Sequence, residues 1–202
     1  MKQISSIIII AHFGCTMFAQ QSNDAKSLLD EVAAKVESYN NVYIEFDHKL
    51  DNNEADVHQE TRGLVTLEGD LYHLNYMGTE QIFDGNKVYL IIHEDEEIII
   101  QQPDEDSEES LTPSKMFSFY KDGYAYAMGS LETVKGVRIQ HVKLTPIDSN
   151  SEIVNITIGI DVRTKHITNI VETGSNNTVT TLEIRTFKTN QTVPRQLFTC
   201  DV

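Results

Sequence analysis

From Val42 onward apolar side chains recur at every second position, and only turn residues and one polar insert interrupt the period. Val42, Ile44, Phe46, His48 and Leu50 alternate with Asn41, Tyr43, Glu45, Asp47 and Lys49, the pattern of a strand with one face buried and the other in water. Similar segments follow at roughly 62–68, 71–77, 79–83, 87–92, 96–102, 123–128, 136–145, 152–162, 165–173, 177–188 and 196–201. Turn signals separate most of them, among them Glu68-Gly69-Asp70, Asp84-Gly85, Lys135-Gly136 and Gly174 to Asn177. Asp84-Gly85, between two apolar runs, predicts a tight hairpin of type I′ with positive φ at both residues. A long antiparallel meander is the economical topology, and the chain is expected to be mainly β.

Ahead of the first strand, residues 24–39 place Ala25, Leu28, Leu29, Val32, Val36 and Tyr39 at three- and four-residue spacing. This predicts one amphipathic helix, with Asn23 or Asp24 as its N-cap. Residues 1–20 carry Lys2, an apolar stretch around Ile7 to Ile10 and a small residue, Ala19. They are expected to be a cleavable signal peptide, leaving a single domain at 21–202. Gln102 to Tyr120 is the one clear interruption of the strands: an acidic stretch leads into a short helical pattern at Pro113 to Tyr120.

The chain's 31 acidic against 16 basic residues give a formal charge of −15. Such acidity argues against nucleic acid and against adhesion to anionic membrane. Cys15 falls in the leader, so Cys200 stands alone, expected as a small apolar side chain in the last strand. The acidic runs Glu94 to Glu97 and Asp104 to Glu109 lack the ligand spacing of a calcium loop and read as solvated charge. The seven histidines are scattered and form no metal or catalytic motif. No catalytic group, metal site or cofactor is expected, although whether two carboxylates are spaced for glycoside hydrolysis is a three-dimensional matter.

What remains is an excess of aromatic and Met side chains. Phe46, Tyr72, Tyr76, Phe83 and Tyr89 lie on the strands; Met116, Phe117, Phe119 and Tyr120 lie on the insert; Tyr124, Tyr126 and Met128 follow it. Two readings fit: a core between sheet and helices, or an adaptable apolar cavity. Composition alone leaves both open.

The order of elements resembles the LolA-like periplasmic carriers of outer-membrane lipoproteins, of the Bacteroidetes-type branch. The resemblance runs through the opening helix (Ala25, Leu28, Leu29, Val32), the Ser38 to Phe46 entry to the first strand and Gly63 to Leu67 followed by Leu71 to Leu74. It continues with the Phe83 to Tyr89 hairpin, the Pro113 to Tyr120 segment, Val142 to Pro146, Ile156 to Asp161 and Phe187 to Phe198. No single motif is specific; the ordered set is.

The resemblance implies an unclosed antiparallel β-barrel, a half-barrel whose concave face is covered by short helices acting as a lid. It implies a non-enzymatic, monomeric chaperone that takes an acylated lipoprotein from an inner-membrane ABC transporter, shields its acyl chains and passes it to an outer-membrane acceptor. The alternative keeps the fold and changes the cargo, as a carrier or sensor of another acylated or polyene lipid. The expected lipid-binding residues are Val42, Ile44, Phe46, Val65, Leu67, Tyr72, Leu74 and Tyr76 on the first three strands. Phe83 and Tyr89 on the hairpin join them, with Met116, Phe117, Phe119 and Tyr120 on the lid. Proteobacterial members carry an Arg-Pro pair after the strand matching Gly63 to Leu67, and its Arg ties the lid to the sheet; here that turn is Glu68-Gly69-Asp70.

Overall fold

The computed structural model describes residues 14–103 and 116–200. A helix, α1 (Gly14–Glu37), precedes β1 (Val42–Asn52), β2 (Val57–Glu68), β3 (Leu71–Tyr76), β4 (Thr79–Phe83), β5 (Val88–Ile92) and β6 (Glu97–Gln101). Then come β7 (Tyr124–Val134), β8 (Val137–Pro146), β9 (Ile153–Asp161), β10 (Ile167–Gly174) and β11 (Val179–Thr189).

The strands form one antiparallel sheet in the order β6-β5-β4-β3-β2-β1-β11-β10-β9-β8-β7. It is therefore two meanders rather than one. β1 and β11 pair at its centre, and the polar insert carries the chain from one edge to the other. Hairpin turns specify only the next strand, and the β1–β11 pairing is a long-range contact that no turn signals. β6 and β7 do not pair with each other, so the sheet stays open.

Helix α1 buries Ala25, Leu29, Val32 and Ala33, one stripe at helical spacing. Its described part runs from Gly14, so Asn23 and Asp24 lie inside it and not at its N-cap position; the residues before them include Ala19, Gln20 and Gln21, which favour helix. It ends at Glu37, two residues short of Tyr39. There the Ser38 hydroxyl donates to the Lys35 carbonyl at 2.6 Å, and Tyr39 turns its hydroxyl to His166 Nε2 at 2.9 Å. His166 stacks on Phe187 with centroids 4.0 Å apart, which pins the helix end to the sheet.

The β4–β5 hairpin forms as expected but with a different turn. Phe83 pairs with Val88 and the Asp84 amide donates to the Lys87 carbonyl, so Gly85 and Asn86 are the central residues. Only Gly85 has positive φ (+95°), as a type II′ turn requires. Asp84 takes the first position of the turn, not a central one, and its Oδ1 accepts the amides of Asn86 and Lys87 at 2.8 and 2.7 Å. Positive φ at both central residues occurs instead at Met77-Gly78 and Lys135-Gly136. β7 runs past the expected end to Val134, through a register shift between Met128 and Leu131.

The expected last strand at 196–201 is a 3-10 turn at Arg195–Phe198, and Cys200 follows it, partly buried and in no strand. Pro194 has no amide to donate to a ladder. The turn packs against β3. Phe198 is buried, as is Ile82 on the strand beside β3. Of the expected insert helix, Pro113 to Lys115 lie outside the described residues, as does the acidic run Asp104 to Glu109. Residues 116–121 form tight 3-10 turns.

Candidate functional site

The register assembles the expected residues into rungs across β1, β2 and β3. Val42 faces Leu67, which faces Tyr72; Ile44 faces Val65, which faces Leu74; Phe46 faces Gly63, which faces Tyr76. Side chains two apart share a face, so these rungs make one apolar surface, continued by Phe83 opposite Tyr72. The Phe46 ring lies across Gly63, where any Cβ would collide with it. A β-bulge at Arg185 keeps Phe46 opposite Ile184 on this face.

Helix α1 and the 116–121 segment cover that surface. Val42, Ile44, Phe46, Val65, Leu67 and Tyr72 share one buried core with Leu29, Val32, Phe117 and Tyr120. Leu74, Tyr76, Phe83, Met116 and Phe119 pack against it, partly buried. Phe117 is 7% exposed and Tyr120 2%. The lid is held by hydrogen bonds: the Tyr120 hydroxyl donates to Asp30 Oδ1 on α1 at 3.2 Å, and the Tyr126 hydroxyl donates to the Tyr120 carbonyl at 2.7 Å. Burial, reinforced by Asp30, pushes the Tyr120 phenol far above its usual range. The Glu68-Gly69-Asp70 turn adjoins the lid: Gly69 and Asp70 line a cleft with Phe117 and Ser118.

Tyr89 is the exception among the expected residues. It pairs with Ile82, which pairs with His73, all on the face opposite Ile44, and its hydroxyl donates to Asp84 Oδ2 at 3.1 Å. The apolar run from Val88 to Ile92 hides the alternation that would have told its face.

The second meander supplies a wall the aromatic criterion missed: Val142 and Leu144 on β8, and Ile156, Ile158 and Ile160 on β9, are all buried in the same core. Their period-two spacing was legible, but they are aliphatic. Among the described residues no group of three or more His, Cys, Asp or Glu is placed to hold a metal ion. Two histidines do meet: His73 and His93 contact Glu80 at 3.2 and 3.0 Å, on the face away from the helix.

Two hollows differ in character. One of about 290 Å³ opens between the end of α1 and the sheet, lined by Ala33, Val36, Val42, Leu67 and Phe117 with polar residues at its rim. Another of about 700 Å³ is lined by Glu45, Arg62, Asn75, Arg185 and Thr186 together with Phe46, Gly63 and Leu64, so charged and apolar groups are mixed in its walls.

A carboxyl also stands on the inner face. Glu172 pairs with Ile156 and Thr180, and burial pushes its pKa above the usual glutamate value. A raised carboxyl value means the folded state holds the proton more tightly, so this contribution to stability is present at low pH and lost as pH rises through the folded value. Glu172→Gln should therefore raise the urea midpoint at neutral pH, and the gain should vanish near pH ~4, where the ordinary carboxyl is itself largely protonated. An equal gain at both pH values would show that the effect is not ionisation.

No family model matches the sequence, and no curated protein does. Solved structures are similar in fold. An uncharacterised conserved protein from Thermus thermophilus superposes with a TM-score of 0.61 at 9% identity, covering 88% of this chain and 94% of its own. LprF from Mycobacterium bovis gives 0.52 at 11% identity, covering 86% and 97%. A LolA superfamily protein from Nitrosomonas europaea gives 0.48 at 11%, covering 87% and 97%. The open antiparallel sheet, with a helix over its inner face, is the architecture that the resemblance in sequence implied. The fold is an open antiparallel half-barrel. In this half-barrel, the apolar surface under α1 and the 116–121 segment is the candidate site. No helix among the described residues is long and apolar enough to cross a membrane.

Proposed function

We propose that this protein is a periplasmic carrier that shields the acyl chains of lipoproteins, receiving them from an inner-membrane transporter and yielding them to an outer-membrane acceptor. One observation carries the reading: the inner face of the open sheet is filled by the side chains of Phe117 and Tyr120, on a short segment held through hydrogen bonds of Tyr120 and Tyr126. An acyl chain of about fifteen methylenes costs on the order of 12 kcal/mol to expose to water. Two or three such chains bound at full strength would exceed the roughly 20 kcal/mol ceiling of noncovalent affinity, and release would fail. A lid that fills the empty site reduces the net gain to the difference between lipid and lid contacts. The role is binding, with no catalysis.

The carboxyl of Glu172 on the inner face favours a second reading, a carrier or sensor of another acylated lipid with a polar head. Mass spectrometry of material co-purified from the native periplasm separates the two. Acylated peptides are expected; lipids without peptide would support the second reading, and absence of any lipid from protein isolated without detergent would overturn both.

A further inference from the structure

We propose that the Tyr72 hydroxyl is a hydrogen-bond donor reserved for the carbonyl of an acyl ester or amide, which reaches it when cargo displaces Phe117. This rests on the lipid-carrier reading and specifies what part of the cargo the inner face recognises. Tyr72 is 2% exposed, and its hydroxyl is buried with no hydrogen-bond partner among the described residues. Five of the seven other tyrosines have a hydroxyl partner, namely Tyr39, Tyr43, Tyr89, Tyr120 and Tyr126, and the hydroxyls of the remaining two, Tyr76 and Tyr124, are not among the buried groups left without one.

A buried donor without an acceptor destabilises the state that contains it, and Phe would fill the same space without that cost. Among the described residues nothing in the closed form gives a reason for a hydroxyl here. Position supplies one. Leu67, the cross-strand neighbour of Tyr72, lines the cleft at the end of α1 together with Phe117, and Phe117 shares the buried core with Tyr72. On its other side the Phe83 ring lies 5.7 Å away, centroid to centroid. A chain entering in place of Phe117 therefore passes over Tyr72. Hydrocarbon offers no acceptor. A carboxylate would, but an ion in this apolar setting is strongly disfavoured. A neutral ester or amide carbonyl satisfies the donor without bringing a charge.

The test compares wild type with Tyr72→Phe, using terminally labelled methyl palmitate and the matching alkane as probes. Without ligand the variant should melt about 2–4 °C higher, since an unsatisfied group is removed. Its preference for the ester over the alkane should fall roughly five- to tenfold, the worth of one neutral hydrogen bond. An unchanged preference overturns the proposal whatever the melting temperature does, and a lower melting temperature with both affinities falling together shows a purely structural tyrosine. Wild type that binds neither probe overturns the carrier reading itself, and this proposal with it.

Discussion

Ile44→Asp should remove most of the stability of the domain. Ile44 is 1% exposed, sits between Val65 and Phe187 in the central strand, and faces the helix-covered core. The substitution forfeits a buried aliphatic side chain, worth about 2–5 kcal/mol, and adds a carboxyl that costs several more to bury unpaired. Together these approach the roughly 5–15 kcal/mol that holds a domain folded. Thermal unfolding followed by circular dichroism should show loss or collapse of the transition. Glu45→Gln, one residue on, should change little. Glu45 faces outward, where the Thr186 and Tyr43 hydroxyls each donate to it at 2.7 Å and hold its carboxyl below the usual range. Gln keeps an acceptor oxygen for them. If Glu45→Gln proved the damaging change, β1 would face the other way.

Phe117→Ala should leave the sheet folded and make the site hold its cargo more tightly. The ring fills the inner face when the lid is down, so its removal destabilises the empty form while leaving the loaded form, from which the ring is displaced, nearly unaffected. Truncating a buried Phe costs about 3–5 kcal/mol in a rigid core; on this short segment about 1–3 kcal/mol is expected, a gain of about fivefold to about 150-fold in affinity. Transfer of a fluorescent lipopeptide to acceptor vesicles should slow by a similar factor. Phe119→Ala should do less, because Phe119 is only partly buried, edge-on to Tyr124 at 6.1 Å. Faster release from Phe117→Ala would show that the ring clamps bound cargo instead of competing with it.

The period-two pattern of Val42 to Leu50 was enough to assign the buried face of β1, and the same pattern in Leu67, Tyr72, Leu74 and Tyr76 carried that face across three strands. It failed at Tyr89, where continuous apolar residues leave no alternation to read. Pro194 and the residues after it look like a strand by composition, but what decides their form is their packing against β3. The aliphatic wall of Ile156, Ile158 and Ile160 was visible as a strand, yet nothing local shows that it faces the same helix as Ile44.

The sequence by itself determined the elements: one helix, a succession of strands, a polar insert, and the face each alternating strand buries, because these depend on neighbours within a few residues. Tertiary structure alone decided the pairing of β1 with β11, the seating of Phe117 and Tyr120 under α1, the Tyr120–Asp30 bond between the 116–121 segment and the helix, and the lack of a partner for the Tyr72 hydroxyl among the described residues. Each of these is a contact between segments far apart in the chain. No local propensity encodes such a contact; it is selected only when the whole apolar surface is buried at once.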